Sequence, residues 1–147
     1  MIIHLKKANV SDISTLLMLE KSVAGTMIYS PMLKESEWVE EFKKGVIYLI
    51  EKDNIVVGSV AYEKKDEDHV YISGLVIHPQ SQGQGIAHKA LQKLLEELNN
   101  IKRIDLVTHP ENERALKLYQ SFGFKIESRK ENYFGDGEPR LVLVLTK

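Results

Sequence analysis

Apolar and polar positions along the chain change period several times, and each change marks a boundary between predicted elements. Residues 2–6 alternate as a short strand, and Asn9 and Asp12 then offer caps for an amphipathic helix with Ile13, Leu16, Leu17 and Val23 on its apolar side. Gly25 and Pro31 interrupt that pattern across residues 23–33. Ser36 next offers a cap for a second helix through about Phe42, which Gly45 stops. Residues 46–51 and 55–63 are β-rich runs on either side of Lys52-Asp53-Asn54, whose Asp and Asn tolerate a tight turn, so a hairpin is predicted. Residues 64–68 make the next turn, and residues 69–77 form a third strand ending before Pro79.

From Gly85 to Leu98 the period becomes helical, with Ile86, Ala90, Leu91, Leu94, Leu95 and Leu98 sharing a face. Residues 103–108 return to strand, and residues 112–122 form a helix with Ala115, Leu116, Leu118 and Tyr119 on its apolar side, ended by Gly123. Residues 124–130 and 141–145 close the chain as two strands joined by the loop 132–139. This order predicts an α+β fold, a mixed and mostly antiparallel sheet of about seven strands flanked by about four helices, with one parallel crossover through the helix at Ile86. The 147 residues show no repeat or linker, so a single domain spanning 1–147 is expected.

Composition then narrows the chemistry. Lys and Arg total 20 against 21 Asp and Glu, a net charge of -1 that argues against a nucleic-acid partner. The count of 0 cysteines excludes disulfides, thiolate metal sites and a cysteine nucleophile. The 5 histidines, at positions 4, 69, 78, 88 and 109, lack ligand spacing such as His-Glu-x-x-His, so no metal is expected. No segment approaches the roughly 20 apolar residues of a membrane span and the first ten residues lack a signal-peptide core, so no membrane partner and a cytoplasmic location are expected.

The stretch Leu75-Val76-Ile77-His78-Pro79-Gln80-Ser81-Gln82-Gly83-Gln84-Gly85-Ile86-Ala87-His88 carries the chemistry. Gly83 and Gly85 remove side chains where a strand turns into a helix, which leaves backbone N–H groups facing outward beside the helix N-terminus. A diphosphate fits there without a lysine clamp or a metal. Ala87 keeps the first turn slim.

The order Gln82-x-x-Gly85-x-Ala87, after an apolar strand and before an amphipathic helix, resembles the acetyl-CoA motif of the GNAT superfamily of N-acetyltransferases. Asn112-Glu113-Arg114-Ala115-Leu116-Lys117-Leu118-Tyr119 with Phe122-Gly123-Phe124 is similar to the second signature of that family. The resemblance implies an acyl-CoA N-acyltransferase fold, splayed at the cofactor site, with acetyl-CoA as cosubstrate. It implies that backbone groups of Leu75 and Ile77 pair with the pantetheine arm and that an N–H at Val76 faces the thioester oxygen. Gln82, Gly83, Gln84, Gly85, Ile86, Ala87 and His88 would surround the pyrophosphate, with Asn112 reaching the arm and also capping its helix. Tyr119 would be the general acid for the departing sulfur, a phenol with an ordinary pKa near 10.

The amine must lose a proton before it attacks, and at pH 7 about 0.04% of free lysine is neutral against roughly 10–20% of an α-amine. Many members of the family place a glutamate on the strand leading to the cofactor, where this chain has Tyr71 and Ser73. Glu63 is therefore the provisional base, with His69 a second candidate. Tyr29 in the loop 23–33 and Tyr133 in the loop 132–139 are the candidates for contact with the acceptor, an amine-bearing small molecule or a peptide. The closing stretch 132–138 resembles the final hairpin of protein N-terminal acetyltransferases and of many small-molecule members alike. The absence of cysteine excludes an acetyl-thioenzyme, so transfer would be direct, and the resemblance implies a ternary complex; a homodimer stands open. Two other readings compete: an acetyl-CoA-binding sensor or interaction module without turnover, and a dinucleotide-dependent oxidoreductase. The second is suggested by Gly83-x-Gly85 with Asp105 roughly 20 residues on, but its third small residue would fall at the bulky His88.

Overall fold

The computed structural model describes residues 1–25 and 28–147. Among the described residues the alternating and helical patterns become seven strands and four helices: β1 (Ile3–Lys7), α1 (Ile13–Ser22), α2 (Glu35–Lys44), β2 (Gly45–Lys52), β3 (Ile55–Asp66), β4 (His69–Ile77), α3 (Ile86–Glu97), β5 (Arg103–Thr108), α4 (Glu113–Ser121), β6 (Lys125–Lys130) and β7 (Arg140–Thr146). Sheet order is β1-β2-β3-β4-β5-β7-β6, and β4–β5 alone pairs parallel. Asp53 and Asn54 take φ of 50° and 71° between β2 and β3, the left-handed pair that a two-residue hairpin turn requires. None of the described helices is long and apolar enough to cross a membrane.

Each face of the sheet buries a separate helical stripe. Ile86, Ala90, Leu91 and Leu94 of α3 and Tyr119 of α4 pack on Ile72, Ile104, Leu106 and Leu143. On the opposite face Leu16 of α1 and Trp38 of α2 meet Ile47, Leu49 and Ala61, while Leu19 and Val23 reach Val76.

The parallel contact between β4 and β5 is short. His69 pairs with Arg103, Val70 with Ile104 and Tyr71 with Asp105, and from there the strands separate. The cause lies on the other edge of β4. Ala61 faces Gly74 whereas Tyr62 faces Ile72, so Ser73 is an extra residue bulged out of the β3–β4 ladder. A bulge bends its strand and increases the local twist. Here it carries the second half of β4 away from β5 and opens a V-shaped gap.

Three local expectations change. α2 starts at Glu35 after an extended Lys34 that makes no side-chain cap, so Ser36 lies inside the first turn. Asn9 and Asp12 cap a 3-10 turn at Val10–Asp12 reciprocally, ahead of α1. α2 does stop at Gly45, whose N–H bonds the Glu41 carbonyl, and the same residue, extended at φ -173°, begins β2 and supplies clearance, because a Cβ there would stand 1.9 Å from the Tyr62 carbonyl oxygen. β3 also runs on to Asp66, since Lys64 still pairs with Val70.

Candidate active site

Beyond β4, a 3-10 turn at Pro79–Ser81 leads into Gly83 at φ +78° and Gly85 at φ +79°. An added Cβ at either position meets nothing within 4 Å, so the backbone conformation demands glycine there and crowding does not. The first bond of the α3 ladder runs from the Lys89 N–H to the Gly85 carbonyl, at 3.2 Å. Among the described residues, the N–H groups of 83–88 have no acceptor. They form a row of donors without a protein acceptor at the positive end of α3, a fit for a phosphate group. Gln82 folds its amide onto the Ile77 carbonyl at 3.0 Å, and the Arg114 guanidinium reaches Gln82 Oε1 at 3.4 Å. His88 is exposed and stacks on Phe122 with ring centroids 4.7 Å apart.

A cavity of about 660 Å³ runs from this turn into the β4–β5 gap. It brings together Leu75, Val76, Ile77, Gln82, Gly83, Gly85, Ile86, Ala87, His88, Asn112, Tyr119 and Tyr29. Gln84 stands outside its wall and accepts a hydrogen bond from Lys52 Nζ at 2.6 Å. Asn112 caps α4 through the Ala115 N–H at 3.2 Å and also faces the cavity.

The phase of the β3–β4 ladder decides which backbone donors face the gap. The His78 N–H donates to the Val57 carbonyl at 2.8 Å, and alternation then directs Val76 at its partner Ser59. Leu75 and Ile77 therefore turn their amides away from β3, toward the gap. The Val76 N–H, expected to face a thioester oxygen, is by the same alternation directed into the sheet and away from the gap.

Tyr119 is buried on α4, edge-on to Phe124 at 5.8 Å. Its hydroxyl makes no hydrogen bond among the described residues. Burial first and the nearby Tyr29 second push the phenol well above its ordinary range, so it stays protonated.

The opposite wall holds two acids that periodicity did not single out. Glu20 on α1 and Glu41 on α2 are 7% and 5% exposed, and both line the cavity. Burial raises Glu20 to about 7 against a hydrogen bond from the Met32 backbone. Burial likewise raises Glu41 to about 7, although the Ser73 hydroxyl donates to its Oε1 at 2.6 Å. A sequence signal existed: Glu20 falls between Leu16 and Val23 and Glu41 between Trp38 and Phe42, charges set on apolar stripes.

Glu63 does not reach the cavity wall. Its Oε1 accepts from Lys65 Nζ at 2.8 Å, and its carboxyl meets that of Glu41. Burial acts to raise Glu63, but Lys65, the hydrogen bond to Glu41 and Lys44 outweigh it and hold the carboxylate below its usual range. His69 stands 2.9 Å from Asp105 and, with Tyr133, lines a second cavity of about 330 Å³. It is Phe134, next to Tyr133, that borders the main cavity. The loop 132–139 is tied over the site by Arg140 to Asp136 at 3.0 Å and by His109 to Glu138 at 2.8 Å. Of the other predicted acceptor loop, Thr26 and Met27 lie outside the described residues.

A carboxyl raised by burial stabilises the fold below its unfolded value and loses that contribution as pH rises through about 7. Glu20→Gln is therefore expected to stabilise the protein by about 1–3 kcal/mol at pH 8 and by almost nothing at about pH 4, a difference that thermal melts at the two pH values will read.

Residues 11–124 match the model of a family described as the Acetyltransferase (GNAT) family. A [Ribosomal protein bS18]-alanine N-acetyltransferase of Haemophilus ducreyi is 31% identical over 65% of this chain and 68% of its own length. The UPF0157 protein YqkA of Bacillus subtilis is 31% identical over 50% of the chain, which spans only 21% of that protein. The L-amino acid N-acetyltransferase AaaT of Escherichia coli is 26% identical over 55% of the chain and 54% of its own length. Among solved structures, the ribosomal-protein-S18-alanine N-acetyltransferase of Escherichia coli superposes with a TM-score of 0.85 at 16% identity, covering 99% of this chain and 94% of that one. An acetyltransferase of Elizabethkingia anophelis, solved with acetyl-CoA bound, has a TM-score of 0.77 at 20% identity, covering 99% and 97%.

Proposed function

This chain belongs to the GNAT acetyltransferase family, and from that membership we propose that it is an N-acetyltransferase moving an acetyl group from acetyl-CoA to a primary amine by direct attack in a ternary complex. One observation carries the reading: the row of N–H donors at 83–88, without protein acceptors among the described residues, opens into a gap edged by the amides of Leu75 and Ile77. Acetyl-CoA supplies an acyl group already activated as a thioester. The donors at 83–88 hold its diphosphate, and Leu75 and Ile77 align its arm as an added strand beside β4. Asn112 borders the same arm. Tyr119 faces the sulfur. Burial penalises a thiolate as it penalises a phenolate, so a protonated phenol opposite the leaving sulfur is a well-matched donor.

The acceptor is an α-amine, of an amino acid or of a peptide. Two of the relatives act, by their names, on a ribosomal protein's alanine and on L-amino acids. At pH 7 an α-amine is also neutral far more often than a lysine, which lightens the work of a base. Tyr29 and Phe134 flank the entrance from the two loops. Calorimetry with acetyl-CoA, followed by CoA release with an alanine-initiated hexapeptide and with L-amino acids, tests the reading. Tight binding with amine-dependent release is expected. Absence of binding by folded protein refutes the reading, and binding without release to any amine leaves an acetyl-CoA-binding module in its place.

A further inference from the structure

We propose that Glu41 is the general base of this site and that Glu63 with Lys65 positions its carboxylate and governs its charge, an assignment that rests on the acetyltransferase reading above. Place argues first. The phosphate turn lies at the outer end of β4, so an arm running inward past Ile77 and Leu75 brings its reactive end to Gly74 and Ser73, where β4 leaves β5. Ser73 is the bulged residue at that apex, and its hydroxyl holds Glu41 Oε1 at 2.6 Å. Glu41 is 5% exposed and lines the cavity, whereas Glu63 stands behind it.

Charge argues second. Two carboxyl groups in contact cannot both ionise freely, and unequal surroundings push their titrations apart. Lys65 Nζ sits on Glu63 Oε1 at 2.8 Å and over the Tyr71 ring at 5.4 Å, which keeps Glu63 anionic. The exchangeable proton of the pair therefore resides on Glu41, the member that reaches the cavity. The other groups acting on the pair are Lys44 from α2, Tyr71 from β4 and, through Lys65, Asp105 from β5.

In the transfer step the amine nitrogen forms a bond to the acyl carbon and the carbon–sulfur bond breaks. Glu41 takes the proton lost by nitrogen, and sulfur receives the proton donated by Tyr119. Both residues then return to their starting states through solvent, giving the N-acetyl amine and free CoA.

Three variants test this with two readouts. The rate probe is the alanine-initiated hexapeptide, with acetyl-CoA affinity measured alongside to show that each variant is folded. Glu41→Gln should lower kcat/KM at pH 7 by about 10²-fold, keep acetyl-CoA affinity within about twofold, and abolish the acidic limb of the pH profile. Glu63→Gln removes a repelling charge and should move that limb to lower pH. Lys65→Met removes the counter-charge and should move it to higher pH. The second readout needs no acceptor: by carbon NMR of labelled glutamate carboxyls, a near-neutral signal should vanish in Glu41→Gln and move to lower pH in Glu63→Gln. A Glu41→Gln enzyme that keeps its rate, a limb unmoved in both other variants, or the lack of a near-neutral Glu41 signal overturns the assignment. Wild-type protein that binds acetyl-CoA yet acetylates neither the peptide nor L-amino acids counts against the acetyltransferase reading instead, and the NMR titration still decides whether Glu41 carries the proton.

Discussion

Tyr119→Phe is expected to lower kcat by roughly 10²-fold or more while leaving acetyl-CoA affinity within about threefold. The substitution removes one hydroxyl and nothing else. That hydroxyl has no partner among the described residues, so the ring keeps its packing on Phe124 and folding is close to unaffected. What disappears is the proposed donor to the leaving sulfur, whose work would fall in the transition state and not in ground-state binding. Steady-state kinetics with calorimetry separates the two effects. Equal losses in turnover and affinity would show that the residue only shapes the cavity. Because burial holds the phenol well above its ordinary range, Tyr119 should also contribute no basic limb to the pH profile below about pH 10.

Gly85→Val is the second large effect and acts at the other end of the cavity. Gly85 sits at φ +79°, a conformation that a β-branched residue adopts only under strain of about 1–3 kcal/mol. An added Cβ meets nothing within 4 Å, so the fold should survive with a melting temperature lowered by roughly 2–10 °C. The donor row survives less well, since relief of the strain rotates the very N–H groups proposed to hold the diphosphate, and the branched side chain stands beside them. A loss of acetyl-CoA affinity of about 30-fold or more is expected by titration calorimetry, a greater effect than the modest thermal shift implies. Unchanged affinity would mean that the phosphates are held elsewhere.

The two variants also probe parts of the protein that were legible to different degrees. The glycine turn and the helix after it are written within a dozen consecutive residues, and their backbone conformation could be read from them directly. Tyr119, singled out by its spacing from Asn112, lies on the cavity wall of the same helix. Glu41 was not reached, because its neighbours in sequence say only that a charge interrupts an apolar stripe. The base was sought instead on β3, and Glu63 turns out to be the carboxylate behind the one that faces the cavity.

Periodicity by itself determined the eleven elements among the described residues nearly to their ends, the hairpin at Asp53 and Asn54, and the strand–turn–helix that leaves donors bare. Those features depend on residues a few positions apart, where side-chain alternation and backbone preference act directly. Tertiary structure alone decided that Ser73 bulges, that β4 parts from β5, that the Val76 N–H turns inward, and that Glu41 meets both Ser73 and Glu63. The Ser73–Glu41 bond joins residues 32 apart in sequence. A ladder's register and a carboxylate's loss of water exist only once separate segments have packed together, so no local pattern could have announced them.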